Sequence, residues 1–226
     1  MSDQKTILRS ILFKGVLPLF YCHSETVSLH VVRTLHKAGV RAVEYTNRGV
    51  AALDNFTAMK KTLAKELPDL YLGIGTVKTE EEAEAFVQAG ADFIVSPIVN
   101  PAVAAVAKNA GLLWIPGCMT PTEIFQAQQL EAPLIKLFPA NILGPEFVGS
   151  IRSLFLHQLF IPTGGVEIEE DNIRKWFKSG VSAVGMGSRL ITEEIMIDGN
   201  YDLLYENTLL ALKIVQKVIN EINPKS

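Results

Sequence analysis

Four segments of the chain repeat one pattern: KAGVRAVEY from Lys37, QAGADFIVS from Gln88, NAGLLWIPG from Asn109 and KSGVSAVGMG from Lys178. Each reads as the end of a helix, a glycine, and then a short, nearly continuous apolar run. Gly39, Gly90, Gly111 and Gly180 fall where a helix stops on a left-handed residue. An apolar run without alternation is the mark of a parallel strand covered on both faces. The glycines lie 51, 21 and 69 residues apart, or about two, one and three units of roughly 20 to 25 residues, the length of a strand, a helix and two loops. Filling the gaps gives eight strands, VLPLFY, RAVEYT, YLGIGT, DFIVS, LLWIP, LIKLF, LFIPT and AVGMG, each followed by a helical pattern.

Eight alternating units predict an α/β protein with a single (β/α)₈ (TIM) barrel spanning 1–226 as one domain. The competing architecture, an open doubly wound sheet, normally carries a glycine-rich phosphate loop in its first strand-to-helix turn. That turn here reads YCHSET, without glycine. The ILRSILF stretch near the N-terminus is interrupted by Arg9 and lacks a small-residue cleavage site, so it reads as a capping helix rather than a signal. The run YDLLYENTLLALKIVQKVINEI after Asn200 reads as an amphipathic C-terminal helix packed across the outside.

Charge and composition narrow the function. Lys and Arg number 21 against 24 Asp and Glu, leaving no basic excess to release counterions from a nucleic acid. No apolar run approaches the roughly 18 residues of a membrane span. Cys22 and Cys118 lie far apart, without disulfide or zinc spacing. A soluble cytoplasmic protein is expected, with no nucleic-acid or membrane partner. His23, His30, His36 and His157 show no metal-ligand spacing, so no metal and no cofactor are expected.

Active sites of such barrels are built where strands end at the C-terminal face, and polar residues there carry a functional expectation. Alternation in LIKLF puts Leu134, Lys136 and Phe138 on one face and Ile135 and Leu137 on the other. A lysine withdrawn from water favours its free amine, the form that attacks a carbonyl; the alternative is a lysine that snorkels to solvent. Glu44 shares a strand face with Ala42 and Thr46 and is followed by Arg48. That pair reads either as a structural ion pair or as a proton shuttle beside Lys136 with a clamp for a carboxylate. Gly73 and Gly75 permit close backbone approach and leave Thr76 at a strand end, although packing alone also favours glycine there. PTGG at 162–165 and GMGS at 185–188, with a helix expected to start at Ser188, match the usual barrel phosphate site. Cys118 either faces the pocket or is a small buried residue.

Together, VEYTNR (43–48), GIGTV (73–77), VSP (95–97), IPG (115–117), IKLFPA (135–140) and PTGGV (162–166) resemble the 2-keto-3-deoxy-6-phosphogluconate aldolase family, which includes the 4-hydroxy-2-oxoglutarate aldolases. The motifs fall in family order from about residue 14 to 197. The resemblance implies a metal-free class I aldolase on a trimeric barrel. Its substrate would be 2-keto-3-deoxy-6-phosphogluconate, cleaved to pyruvate and glyceraldehyde 3-phosphate, with 4-hydroxy-2-oxoglutarate, cleaved to pyruvate and glyoxylate, as a second substrate. By position, Lys136 resembles the Schiff-base lysine, Glu44 the general acid/base, and Arg48 and Thr76 the binders of the pyruvate carboxylate. Gly164, Gly165 and Ser188 resemble the phosphate cradle, and substrate contacts are implied for Pro97, Phe138, Thr163 and Gly187.

The chain departs from the pattern at Leu19-Phe20-Tyr21, where many relatives carry Arg just after the first strand, and at Tyr45 and Asn47 between the Glu and Arg. Two other classes compete: a phosphate-binding barrel isomerase or epimerase, and a non-catalytic sugar-phosphate binding protein. Neither accounts for a strand-centred lysine facing a strand-centred glutamate.

Overall fold

The computed structural model describes residues 4–222. Among these residues nine parallel strands, all but β5 and β6 separated by helices, follow one another: β1 (Val16–Phe20), β2 (Ala42–Thr46), β3 (Tyr71–Gly75), β4 (Phe93–Val95), β5 (Leu113–Ile115), β6 (Gly117–Cys118), β7 (Leu134–Leu137), β8 (Leu159–Pro162) and β9 (Val184–Met186). The helices are α1 (Gln4–Lys14), α2 (Glu25–Lys37), α3 (Ala52–Glu66), α4 (Glu80–Gln88), α5 (Pro101–Asn109), α6 (Pro121–Gln129), α7 (Ala140–Ile151), α8 (Glu170–Lys178), α9 (Glu193–Asp198) and α10 (Tyr201–Ile222).

The repeated glycines end helices as their spacing predicts. Gly39, Gly90, Gly111 and Gly180 have φ of 105°, 87°, 69° and 100° and each follows the single capping residue, Ala38, Ala89, Ala110 or Ser179, that ends α2, α4, α5 or α8. Glu131 after α6 and His157 before β8 occupy the left-handed region without being glycine, at φ 61° and 67°. Hydroxyl caps fix the starts of α2, α4, α6 and α9. Thr79 and Thr120 accept from the N–H groups of Glu82 and Glu123, whose carboxylates return the bond, a reciprocal cap at α4 and α6.

The strands form a curled six-stranded parallel sheet in the order β5-β4-β3-β2-β1-β9 and a three-stranded parallel sheet in the order β6-β7-β8. The expected fifth strand, LLWIP, is divided: Pro116 has no N–H to give a neighbour, and the chain resumes as β6. The Pro116 carbonyl accepts from Lys136 N at 2.8 Å. At the other margin Thr163 bridges Gly185 in parallel, and Ser182 N donates to the Phe160 carbonyl at 2.9 Å.

Alternation along the strands sorts two cores. The outer one holds Val43, Tyr45, Ile135 and Leu137 beneath the helices. The inner one gathers Leu17, Ala42, Phe93, Leu113, Leu134, Ile161 and Ala183, closed at the strands' N-terminal end by Ile7 and Ile11 of α1, so α1 is a cap. On α10, Leu204, Thr208, Ala211, Val215 and Val218 are buried at intervals of three and four residues, the stripe of a helix lying on a surface. It packs on α8 and α2, and each large apolar side chain buried there contributes about 1.5–3 kcal/mol.

Candidate active site

The inward alternation that gives β2 and β7 their apolar beginnings also carries one charged residue each into the interior. Lys136 is 6% exposed and Glu44 1%, and Lys136 Nζ stands 3.5 Å from Glu44 Oε1. The Phe138 ring centroid lies 5.4 Å from the same Nζ. Withdrawing each ion from water costs several kcal/mol, and the attraction between them returns that only with short, saturated hydrogen bonding. Here the separation exceeds the 2.7–2.9 Å of a charge-assisted bond, and Glu44 Oε1 has no hydrogen-bond partner. The pair is a poor stabiliser.

Gly75 makes room for it. Thr46 pairs with Gly75 across the β2–β3 ladder, and a Cβ on Gly75 would overlap the Glu44 carboxylate, as one on Gly73 would overlap the Phe93 ring. These glycines therefore admit neighbouring side chains of the protein itself. Thr46 Oγ1 is the second buried side-chain atom without a partner among the described residues. Two unpartnered polar atoms on one inward strand face are the exception in folded proteins and mark a place for a ligand.

Above the pair opens a cavity of about 790 Å³. Its walls include Thr46 and Arg48 at the end of β2, Phe138 at the end of β7, Thr163, Gly164 and Gly165 after β8, and Gly187, Ser188 and Arg189 after β9. Tyr21, Cys22, His23 and Ser24 wall the side beneath α2. Thr46 and Phe138 lie two residues beyond Glu44 and Lys136 on the same strand faces, so the ion pair forms the layer beneath the wall. Lys136, Glu44, Thr76 and Pro97 are not themselves among the wall residues. Thr76 follows β3 at φ 64°, a conformation that costs a β-branched residue about 1–3 kcal/mol and tends to persist at functional sites. The Pro97 carbonyl lies where a Cβ of Gly117 would fall.

The glycine-rich end differs from expectation in one respect. Residues 188–190 form a turn, not a helix: Leu190 N and Ile191 N both donate to the Gly187 carbonyl at 2.9 Å. The helix α9 starts at Glu193, because the Thr192 hydroxyl caps it by accepting from Ile195 N. No helix dipole therefore points from Ser188. A side chain that sequence reasoning missed stands there instead: Arg189 walls the cavity, with Nε 3.1 Å from Glu167 Oε1. An Arg after a glycine turn has no distinguishing spacing, and the partnership with Glu167 is made only by the fold. Gly164 and Gly165 have φ of 101° and 72°, and a Cβ on Gly165 would come within 2.6 Å of Asn141 Cβ.

Cys118 is buried in the outer core, where desolvation, aided by Glu123, pushes its thiol up to about 12. It is a packing residue. Tyr45, facing away from Glu44, packs edge-on against Phe20; burial raises its phenol, which stays a hydrogen-bond donor.

A buried lysine 3.5 Å from a buried glutamate, beneath a cavity walled on one side by glycines, is the geometry against which known proteins compare. The family described as "KDPG and KHG aldolase" matches residues 8–206. The chain belongs to that family. Its relatives include the 2-dehydro-3-deoxy-phosphogluconate aldolase of Treponema pallidum, 28% identical over 211 residues and covering 93% of this chain and 98% of that one. The KHG/KDPG aldolase of Escherichia coli is 30% identical over 219 residues, 96% of this chain and 98% of the relative. A solved KDPG aldolase of Legionella pneumophila, with pyruvate captured at low pH as a covalent carbinolamine intermediate, superposes with a TM-score of 0.81 at 25% identity, covering 89% of this chain and 97% of that one. This chain is thus an aldolase, a carbon–carbon lyase. Among the described residues, no helix is long and apolar enough to cross a membrane.

Proposed function

We propose that this aldolase cleaves 2-dehydro-3-deoxy-6-phosphogluconate to pyruvate and glyceraldehyde 3-phosphate through an imine on Lys136, and that it also accepts 4-hydroxy-2-oxoglutarate, releasing glyoxylate. The observation that carries this reading is the 3.5 Å approach of Lys136 Nζ to Glu44 Oε1 beneath the cavity. The lysine amine adds to the keto carbon to give a carbinolamine, the kind of adduct trapped in the Legionella relative, and loss of water leaves a protonated imine. Glu44 takes the proton of the carbon-4 hydroxyl as the bond between carbons 3 and 4 breaks. That bond's electron pair moves into the imine as an enamine, and the aldehyde departs. Protonation at carbon 3 and hydrolysis return pyruvate and the free lysine. The imine is itself the electron sink.

Arg48 and Thr76 hold the pyruvate carboxylate, with Pro97 and Phe138 closing around the three-carbon unit. Thr163, Gly164, Gly165, Gly187 and Ser188 cradle the phosphate, and Arg189 adds the side-chain charge. What supports this division is the placement of the two arginines of the wall after β2 and after β9, on either side of β1. The two sheets count, in this reading, as one closed eight-stranded barrel in which β5 and β6 are a single strand interrupted at Pro116. The inner core contributed by strands of both sheets supports it. The same reading makes the chain one domain, a homotrimer and a cytoplasmic enzyme. The test is pyruvate release measured with the phosphorylated sugar acid and with 4-hydroxy-2-oxoglutarate. Release from both is expected, and none from either overturns the assignment.

A further inference from the structure

Glu44 faces the reaction, while its neighbour Tyr45 faces the other way and reaches back to the cavity by a second route. Tyr45 is fully buried, and its hydroxyl donates to the Cys22 carbonyl at 2.6 Å. Asn55 of α3 donates through Nδ2 to the His23 carbonyl at 2.8 Å, with the same nitrogen 3.4 Å from Tyr45 Oη. The next residue, Ser24, is pinned as the cap of α2, accepting from Val27 N at 3.3 Å. Tyr21 is held from the same side: its ring centroid lies 5.7 Å from that of Tyr45, and its hydroxyl occupies the space a Cβ of Gly49 would fill, beside Arg48. The segment from Tyr21 to Ser24, which walls the cavity, is therefore fastened from behind through its carbonyls. Packing alone would be served by phenylalanine at position 45. A phenol placed in a core must find an acceptor or leave a buried donor unpaired at a net cost, and the acceptor it finds is the backbone of the wall.

We propose that Tyr45 and Asn55 are positioning residues for the Tyr21–Ser24 wall, which follows β1 and so spans from the Arg48 side after β2 to the Gly187–Arg189 side after β9, and that they hold it against the half of the substrate that departs as aldehyde, setting affinity for that half without entering the chemistry at Lys136. The proposal rests on the aldolase reading above. Pyruvate carries no aldehyde half, which gives a clean separation. Tyr45→Phe keeps the ring in the core and removes one hydrogen bond, a change on the order of 0.5–1.5 kcal/mol or about two- to tenfold in affinity. The experiment compares steady-state cleavage of 2-dehydro-3-deoxy-6-phosphogluconate with borohydride trapping of pyruvate, in wild type, Tyr45→Phe, Asn55→Ala and the double variant. The expected result is a KM raised about two- to tenfold in Tyr45→Phe with kcat within about twofold, pyruvate trapping unchanged, and a double variant less than additive because both residues grip one segment. An unchanged KM, or pyruvate trapping reduced in the same proportion as cleavage, overturns the proposal. Wild-type protein that traps no pyruvate overturns the aldolase reading itself, and the proposal with it.

Discussion

Lys136 and Glu44 approach to 3.5 Å although their strands, β7 and β2, belong to different sheets and share no hydrogen bonds. Only curling of the two sheets around one interior brings them together. If that contact exists for imine chemistry, incubating the protein with pyruvate and borohydride should add one pyruvate-derived mass, located on the peptide containing Lys136. Lys136→Met should abolish the adduct. An adduct on another lysine would refute the assignment of the nucleophile.

Replacing Glu44 with Gln keeps the volume beneath the cavity and removes the proposed base. Imine formation with pyruvate should persist, while cleavage of the carbon–carbon bond should slow by about 10²–10⁴-fold, the usual contribution of positioned proton transfer. Single-turnover measurements separate the two steps. Turnover at the wild-type rate would return Glu44 to a structural role.

What the chain revealed in advance follows from which signals are local. The unit boundaries were legible at Gly39, Gly90, Gly111 and Gly180 because a left-handed helix end selects glycine. They were obscure at Glu131 and His157, which adopt the same conformation without the signature residue. The inward direction of Lys136 and Glu44 was legible because strand alternation is a two-residue rule. Their meeting was suggested only by both being strand-centred. The expected helix at Ser188 gives way to a turn, and the hydroxyl that caps the helix is that of Thr192; Thr46 reads in the sequence only as a neighbour of Glu44 and Arg189 carries no signal, because their significance depends on what faces them. Tyr45 and Asn47 looked like departures from the family pattern; for Tyr45, its contact with the Cys22 carbonyl gives the departure a physical content.

Gly75 provides a sharper check on the site than removal of either charged group. A methyl group there would occupy the position of the Glu44 carboxylate, so Gly75→Ala should lower stability by about 1–3 kcal/mol through overpacking. It should also reduce cleavage by about 100-fold if the displaced Glu44 is the base proposed above. Circular dichroism with thermal unfolding and a kcat measurement would show both. A fully active Gly75→Ala protein would mean that Glu44 has another conformation for catalysis.

The two cysteines should separate by burial. Cys118, with its thiol pushed up to about 12 by desolvation, presents almost no thiolate at pH 8, whereas Cys22 is partly exposed at the cavity wall. Iodoacetamide at that pH should label Cys22 in the native protein and Cys118 only after unfolding. Saturating phosphorylated substrate should protect Cys22. Peptide mass mapping reads all three results, and labelling of Cys118 in the folded state would contradict its place in the core.

The phosphate end yields the most specific expectation, because two recognition elements there can be separated. In the proposed cradle the backbone of Gly164, Gly165, Gly187 and Ser188 would act through groups that a side-chain substitution cannot remove, and Gly165→Val would also strike Asn141, confounding binding with folding. Arg189 can be truncated cleanly. Its side chain is 62% exposed and its contact with Glu167 lies at the rim, where an ion pair adds little to stability. Arg189→Ala should therefore leave the unfolding midpoint nearly unchanged. A hydrogen bond to a charged group contributes about 1.5–3 kcal/mol, so kcat/KM for the phosphorylated sugar acid should fall by about 10–100-fold, towards the lower figure at high salt. Activity on 4-hydroxy-2-oxoglutarate and trapping of pyruvate should be untouched, since neither ligand carries the dianion. Glu167→Gln should have a smaller effect in the same direction if the carboxylate orients the guanidinium, and the opposite effect if it competes with the phosphate. Equal losses on both substrates in Arg189→Ala would show that the arginine supports the site as a whole, and would remove it from phosphate recognition.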